Sequence, residues 1–302
     1  MIESLAGRTA VITGAASGFG LEASHVAARE GMNVVMADVQ AGALERAAAE
    51  VAARGAPVLA FALDVSKAAE VQALADATQA RFGAPHFVFN NAGIAVGGLI
   101  WEHTLADWEW LVGVNLMGVA HGVRVFTPMM LAAAAADPGY RGHIVNTASM
   151  AGLVNAPNMG VYNVTKHAVV ALSETLYQDL RLVTDQIGAS VLCPFFVPTG
   201  IGRSERNRPD EACAQEPTRS QQVAKAMMDK AVSAGKVSAE EVVQRVFDAV
   251  REGRFYVFSH PKALAGVQTR LEDVLQSRNP SDPFAARPEL GEQLRAALRR
   301  VN

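Results

Sequence analysis

What most constrains this chain is an alternation: short apolar runs are separated by longer amphipathic stretches through the first two-thirds of the sequence. Thr9 to Thr13 reads as a strand, followed by a helix near Gly20 to Glu30. Asn33 to Ala37 and Val58 to Leu63 read as strands flanking a helix at Ala43 to Arg54. A helix at Ala68 to Arg81 precedes a strand at His86 to Phe89, and Leu105 to Met130 reads as one long helix. His143 to Thr147, a helix from Tyr162 to Thr184, and Ala189 to Leu192 complete the series. Strands that are apolar along their whole length are buried on both faces, and intervening helices make the crossovers that parallel pairing needs. The pattern predicts an α/β protein, a doubly wound parallel sheet with helices on both faces.

After Thr199 the alternation breaks. Residues 200–238 read as an insertion of polar, charged and Pro-containing stretches with an apolar patch at Ala226-Met227-Met228. A helix at Ala239 to Glu252 and a strand at Phe255 to Phe258 follow, then a mostly helical tail, 261–302, interrupted at Asn279-Pro280-Ser281-Asp282-Pro283. Without internal repeats or a dividing linker, 1–302 is expected to be a single domain carrying an insertion and a tail. The net charge of -3 argues against a nucleic-acid partner, which leaves a basic footprint. Cys193 and Cys213 offer neither a disulfide framework nor metal-ligand spacing, so two reduced thiols and no metal are expected. A strand begins almost at once, which leaves no room for a signal peptide. No apolar run approaches the roughly 20 residues that span a bilayer. The Ala-rich stretch Met129 to Ala136 ends at a turn, Asp137-Pro138-Gly139. A cytoplasmic protein without a membrane partner is the expectation.

Thr13-Gly14-Ala15-Ala16-Ser17-Gly18-Phe19-Gly20 follows a strand and opens a helix. Glycines there let backbone N–H groups approach a pyrophosphate, and the helix N-terminus adds positive potential. A plain tight turn is the alternative; the strand–turn–helix context favours the cradle. Asp38 ends the next strand, where a carboxylate can accept both hydroxyls of an adenosine ribose, or merely cap a loop. It would repel a 2′-phosphate by on the order of 1–3 kcal/mol. Ser17 and Val39 supply no compensating base, so the cofactor reading is NAD rather than NADP.

Tyr162 and Lys166 stand at i and i+4, which places them on one helical face. Moving a hydride to or from a carbinol carbon must be coupled to movement of the hydroxyl proton. A free tyrosine, with a pKa of about 10, is a poor base at neutral pH, and burial raises that value. A nearby ammonium and an oxidised nicotinamide act in the opposite sense. Lys166 can also bond the nicotinamide ribose. Ser149 follows a strand end, where it can hydrogen-bond the substrate oxygen or serve as a turn or cap residue. Asn115 interrupts a long apolar helix and needs partners there.

Taken together, from about Leu5 to Thr199, these motifs resemble the short-chain dehydrogenase/reductase family, with Asp64-Val65 and Asn90-Asn91-Ala92-Gly93 also in place. The resemblance implies a Rossmann-type fold and an NAD-dependent alcohol dehydrogenase or carbonyl reductase with Asn115, Ser149, Tyr162 and Lys166 as its catalytic set. It implies cofactor contacts from Gly14, Ser17, Gly18, Phe19, Gly20 and Asp38, then Asp64 on the adenine amino group and Val65 beside the ring. Asn91, Ala92 and Gly93 would shape the adenosine pocket, with Asn115 in a proton relay through water to Lys166. Pro194, Val197 and Thr199 match the segment that holds the nicotinamide carboxamide. Phe195 stands where the family usually has glycine, either narrowing the site or packing beneath it. The family is typically a homodimer or homotetramer through two long helices, here near Leu105 to Met130 and Tyr162 to Thr184.

The insertion corresponds to the family's variable substrate lid. Leu153, Val154, Met159, Phe196, Met227 and Met228 either line an apolar substrate wall or belong to the core. If they face the site, the small-molecule substrate is a bulky apolar or aromatic secondary alcohol or ketone. Arg203, Arg206 and Arg208 either take a carboxylate or form a solvated face. The tail resembles that of relatives oxidising benzylic secondary alcohols. A non-catalytic NAD-sensing protein would be expected to lose Ser149, Tyr162 or Lys166, and a lyase or dehalogenase on this scaffold the glycine turn or the lysine; all are intact.

Overall fold

A computed structural model describes residues 2, 4–209 and 216–299. Cys213 lies outside the described residues. The first strand, β1 (Thr9–Thr13), is buried at every position, as a strand covered on both faces must be. It pairs in parallel with β2 (Asn33–Asp38) on one side and β4 (Phe87–Asn90) on the other. Adding β3 (Val58–Ala62), β5 (Gly142–Thr147), β6 (Ile187–Cys193) and β7 (Tyr256–Phe258) gives a seven-stranded parallel sheet, ordered β3-β2-β1-β4-β5-β6-β7. The order reverses between β1 and β4, and the crevice outside those carboxyl ends is where such sheets bind ligands.

One face carries α1 (Gly18–Arg29), α2 (Ala41–Ala52) and α8 (Ala239–Glu252), packed over Val34, Met36, Phe87 and Phe89. The other carries α3 (Ala68–Phe82), α5 (Gly118–Ala136) and α6 (Gly160–Val183), over Val11, Val35, Val88 and Ile144. The legible strands and helices thus stand where periodicity put them, within a few residues at each end. One does not. Leu105 to Met130 is not a single α-helix: α4 (Leu105–Leu111) passes into a π-helical stretch, Val112–Met117, before α5 begins. There the Gly118 N–H reaches back five residues to the Gly113 carbonyl.

The whole span, Leu105–Ala136, is 32 residues and long and apolar enough to cross a membrane by length and composition, contrary to the sequence expectation. Here it packs against α3, α6 and the strands β4, β5 and β6 as an element of the fold.

In the insertion, Gly200–Asn207 forms a 3-10 strap and Arg219–Ser233 forms α7, opened by a Thr218–Gln221 capping box. The tail forms α9 (Leu264–Leu275) and α10 (Pro288–Arg299). Leu264 and Val267 of α9 pack on the buried cluster around Met150 and Val170 that Leu153 also joins, and a Cβ on Gly266 would lie 3.7 Å from Val154. Helix α10 packs on α7, with Arg219 Nε donating to the Ala297 carbonyl at 2.6 Å. The tail therefore braces both the loop after β5 and the lid helix.

Candidate active site

The glycine turn is shaped by close approach. Gly14 and Gly18 have φ of +67° and +55°, in the left-handed region that side chains disfavour. A Cβ on Gly20 would lie 2.1 Å from the Gly14 carbonyl oxygen, so the start of α1 rests on the turn itself. Asn91 staples the strand ends: its Nδ2 donates to the Thr13 carbonyl at 3.0 Å, and its Oδ1 accepts from Thr147 Oγ1 at 3.2 Å. Thr13 Oγ1 in turn accepts from the Asn91 and Ala92 N–H groups at 2.9 and 3.1 Å. Neither threonine was singled out from sequence. Asn90 faces away into the core, where its Nδ2 donates to Asn146 Oδ1 at 2.9 Å.

Asp38 accepts from the Ala16 N–H at 3.0 Å and the Gln40 N–H at 2.9 Å, which orients the carboxylate at the mouth of the turn. Asp64 Oδ1 accepts from the Ser66 N–H at 2.9 Å, and Val65 packs on Gly118 at the start of α5.

Ser149, Tyr162 and Lys166 meet across the ends of β5 and α6. Ser149 Oγ accepts from the Ala151 N–H at 3.1 Å and donates to the Pro194 carbonyl at 3.4 Å. Burial raises the pKa of the half-buried Tyr162 phenol above its ordinary value, and hydrogen bonding with Ser149 opposes the rise. Lys166 is 3 % exposed and donates from Nζ to the Thr147 carbonyl at 2.9 Å, 5.8 Å from the centre of the Tyr162 ring.

Burial lowers the Lys166 pKa from 10.5 to about 8, partly offset by the Cys193 sulfur beside it. Below pH 8 both folded and unfolded chains carry this proton, and the fold bears the full cost of a buried ammonium. Between about 8 and 10.5 the unfolded chain binds more protons, so stability rises with pH in that window. Lys166→Met should therefore exceed the parent in stability most clearly near pH 7, the difference narrowing towards pH 10.5. Denaturant unfolding of both proteins at the two pH values checks this, and a difference independent of pH would refute it.

Asn115 sits inside the π stretch and is fully buried. Its Oδ1 accepts from the Ile94 N–H and its Nδ2 donates to the Ile94 carbonyl, both at 2.9 Å, with a further bond to Thr165 Oγ1 at 3.2 Å. A Cβ on Gly93 would stand 3.4 Å from Asn115 Oδ1 and 3.5 Å from Lys166 Nζ, so both side chains converge beside Gly93.

One cavity of about 1270 Å³ joins these parts. It is lined by Gly14, Ser17, Gly18, Phe19, Asp38, Asp64, Val65, Asn91, Ala92 and Gly93, and continues to Ser149, Tyr162, Lys166, Pro194, Val197 and Thr199. Gly20 and Asn115 lie just behind its wall rather than on it. Val154, Met159, Phe196 and Met228 also line the cavity; Leu153 and Met227 do not. Trp110, which sequence reasoning passed over, is on the wall, packed in one apolar cluster with Val161 and Tyr162. Arg208 pairs with buried Asp107 and lies 4.8 Å over the Trp110 ring, while Arg203 and Arg206 face the cavity. Phe195 lines the cavity and also packs tilted against Phe196 at 4.5 Å and edge-on against His260 at 5.8 Å between ring centres. Among the described residues, positive φ outside glycine occurs only at Asn158 and Ser277, so the backbone at Phe195 does not require glycine. The described residues contain no cluster of metal-ligating side chains.

Comparison with known proteins gives a consistent picture. The short chain dehydrogenase family profile matches residues 8–210. A short chain dehydrogenase/reductase from Burkholderia phymatum, solved in complex with NAD, is 50% identical, with a TM-score of 0.91 over 94% of this chain and 100% of that one. The CLA biosynthesis dehydrogenase/reductase of Lactiplantibacillus plantarum is 33% identical, covering 89% of this chain and 93% of its own. A C alpha-dehydrogenase from a Sphingobium species is 30% identical, covering 93% and 90%.

Proposed function

The chain belongs to the short-chain dehydrogenase/reductase family, and from that premise we propose that it transfers a hydride between NAD(H) and a bulky apolar or aromatic secondary alcohol or ketone. The observation that carries this reading is the continuous cavity from Asp38, past the glycine turn, to Ser149, Tyr162 and Lys166.

The residues fit a dinucleotide. Gly14, Ser17, Gly18, Phe19 and Gly20 would hold the diphosphate against the start of α1, Asp38 the adenosine ribose, and Asp64 and Val65 the adenine. Asn91, Ala92 and Gly93 would back the adenosine, and Pro194, Val197 and Thr199 the nicotinamide carboxamide. The dinucleotide, when bound, accepts or supplies the hydride. Ser149 positions the substrate oxygen and donates a hydrogen bond that strengthens as charge develops there. Tyr162 takes the hydroxyl proton in oxidation and returns it in reduction. Its phenol is a weak acid in the unliganded protein, because burial outweighs the Ser149 bond. Positive charge near the ring is therefore needed to release the proton, and Lys166 supplies part of it. Asn115 holds the Ile94 backbone and so sets the wall beside which Lys166 exchanges protons with water.

Trp110, Val154, Met159, Phe196 and Met228 support the apolar or aromatic substrate class. The test is NADH formation across secondary alcohols from small aliphatic to bulky benzylic. Turnover confined to small polar alcohols would overturn the substrate class, and turnover of none would overturn the reading as a whole.

Asp38→Ala should erode a preference for NAD over NADP, since the carboxylate repels a 2′-phosphate by on the order of 1–3 kcal/mol. An unchanged ratio of the two kcat/KM values would remove Asp38 from the ribose site. We read the exposed faces of α5 and α6, including Met117, Val164, Leu182 and Val183 at their margins, as contacts of a homodimer or homotetramer. Light scattering should then give the mass of two or four chains, and a monomer would exclude it.

A further inference from the structure

The strap Gly200–Asn207 crosses the cavity and is tied at three places. At its root, a Cβ on Gly18 would stand only 3.4 Å from Thr199 Cβ, so the strap springs from beside the glycine turn. In its middle, buried Ser204 accepts from the Ala95 N–H at 2.9 Å and donates to the Ile201 carbonyl at 2.7 Å. At its far end, Gln40 Nε2 donates to the Arg206 carbonyl at 3.1 Å and to Asn207 Oδ1 at 2.7 Å. Gln40 is two residues from Asp38, so the strap runs from the glycine turn to the ribose-side edge.

Arg206 lies on this span. Its Nη1 donates to the Gly200 and Arg203 carbonyls at 2.9 and 3.0 Å, folding the side chain back towards the root. Its Nη2 comes within 3.1 Å of where a Gly200 Cβ would be, one residue from the Thr199–Gly18 contact. Nη1 is occupied by carbonyls, whereas Nε and Nη2 present a cationic fork of N–H donors on a side chain that lines the same cavity as Gly14, Ser17 and Gly18. A planar guanidinium beside Gly200, one residue from the Thr199 contact with Gly18 at the start of α1, suits a diphosphate, because it can donate two parallel bonds to phosphate oxygens.

We propose that Arg206 is a strap-borne ligand of the dinucleotide diphosphate, so that the strap closes over the cofactor as well as the substrate. The proposal rests on the NAD(H) reading above. Gln40 is then a positioning residue, holding Arg206 through its backbone.

Calorimetric titration of the full chain with NADH and with ADP-ribose, and an NMR titration with adenosine, test it. Arg206→Gln should weaken NADH and ADP-ribose by roughly tenfold, equal to about 1.4 kcal/mol, and leave adenosine unchanged. Arg206→Lys should recover part of the loss. Gln40→Ala should weaken ADP-ribose too, and the double variant should bind it no more weakly than Arg206→Gln alone to within about twofold, since the two act as one unit. Arg203→Gln, altering the neighbouring arginine on the strap, should have little effect. Equal binding of ADP-ribose by parent and Arg206→Gln would overturn the inference alone, as would an equal loss for adenosine or a loss confined to Arg203→Gln. A parent that binds neither NADH nor ADP-ribose would overturn the cofactor reading and this inference with it.

Discussion

Tyr162→Phe should lower kcat by roughly 10²–10⁴-fold in either direction, the range expected when a positioned proton-transfer group is lost. Cofactor affinity should stay within about twofold, because the variant keeps the ring and removes only an oxygen at the substrate end. The size of the effect follows from the site. Lys166 donates to the Thr147 carbonyl, 5.8 Å from the phenol ring centre, while Ser149 already accepts from the Ala151 N–H and turns its one proton to Pro194 or, with substrate bound, to the substrate oxygen. Neither is arranged to take the proton instead. Stopped-flow hydride transfer, with NADH affinity measured separately, separates the two quantities. A variant retaining more than about a tenth of the parent rate would point to another proton acceptor.

Gly20→Ala should be nearly as damaging by an unrelated route. The added methyl would lie 2.1 Å from the Gly14 carbonyl oxygen and 2.9 Å from Asn91 Nδ2. The turn cannot retreat, because on its other side a Cβ at Gly14 would already lie 2.9 Å from the Ala92 backbone. Overlap of this kind costs about 3 kcal/mol, at the upper end for overpacking. Opening the turn would also misplace the N–H groups meant for phosphate. Losing one charge-assisted bond there, at about 1.5–3 kcal/mol, corresponds to roughly 10–100-fold in NADH affinity. Gly7→Ala is the control: its φ is +73°, yet nothing lies within 4 Å of the added methyl. It should cost only the left-handed strain, about 1–2 kcal/mol, and spare cofactor binding. Thermal unfolding and NADH titration of both variants decide the matter. Gly20 itself has no positive φ, so equal behaviour of the two would mean that the close contact with Gly14 costs no more than left-handed strain does at Gly7.

Much of this architecture was legible because its signals are local. The wholly buried strands follow directly from unbroken apolar runs, and the glycine turn, Asp38, and the Tyr162–Lys166 spacing need only a few neighbouring residues. What escaped depends on partners distant in sequence. Asn90 and Asn91 look alike in the chain, but one points into the core and the other ties three strand ends together through Thr13 and Thr147. Trp110 reads as an ordinary apolar helix position; only the crossing of α4 past Tyr162 makes it a wall of the cavity. Met227 carries the same side chain as Met228 but is 42 % exposed, a difference set by which face α7 turns inward. The tail gave no hint that it supports the lid, since that follows from how α9 and α10 fold back.

The π-helical stretch has a consequence for how this protein tolerates insertions and deletions. A single extra residue in an otherwise α-helical segment shifts everything after it by about 100° around the axis. The chain stays helical from Leu105 to Ala136 through the π stretch, with no turn to mark the change, which is why periodicity alone fused α4 and α5. Deleting one residue between Val112 and Met117 would let the two helices merge into a regular one, with better local hydrogen bonding. The same deletion would turn the Asn115 amide away from Ile94. At this position the edit that mends the helix breaks the site, so selection for stability and selection for activity pull the chain length in opposite directions.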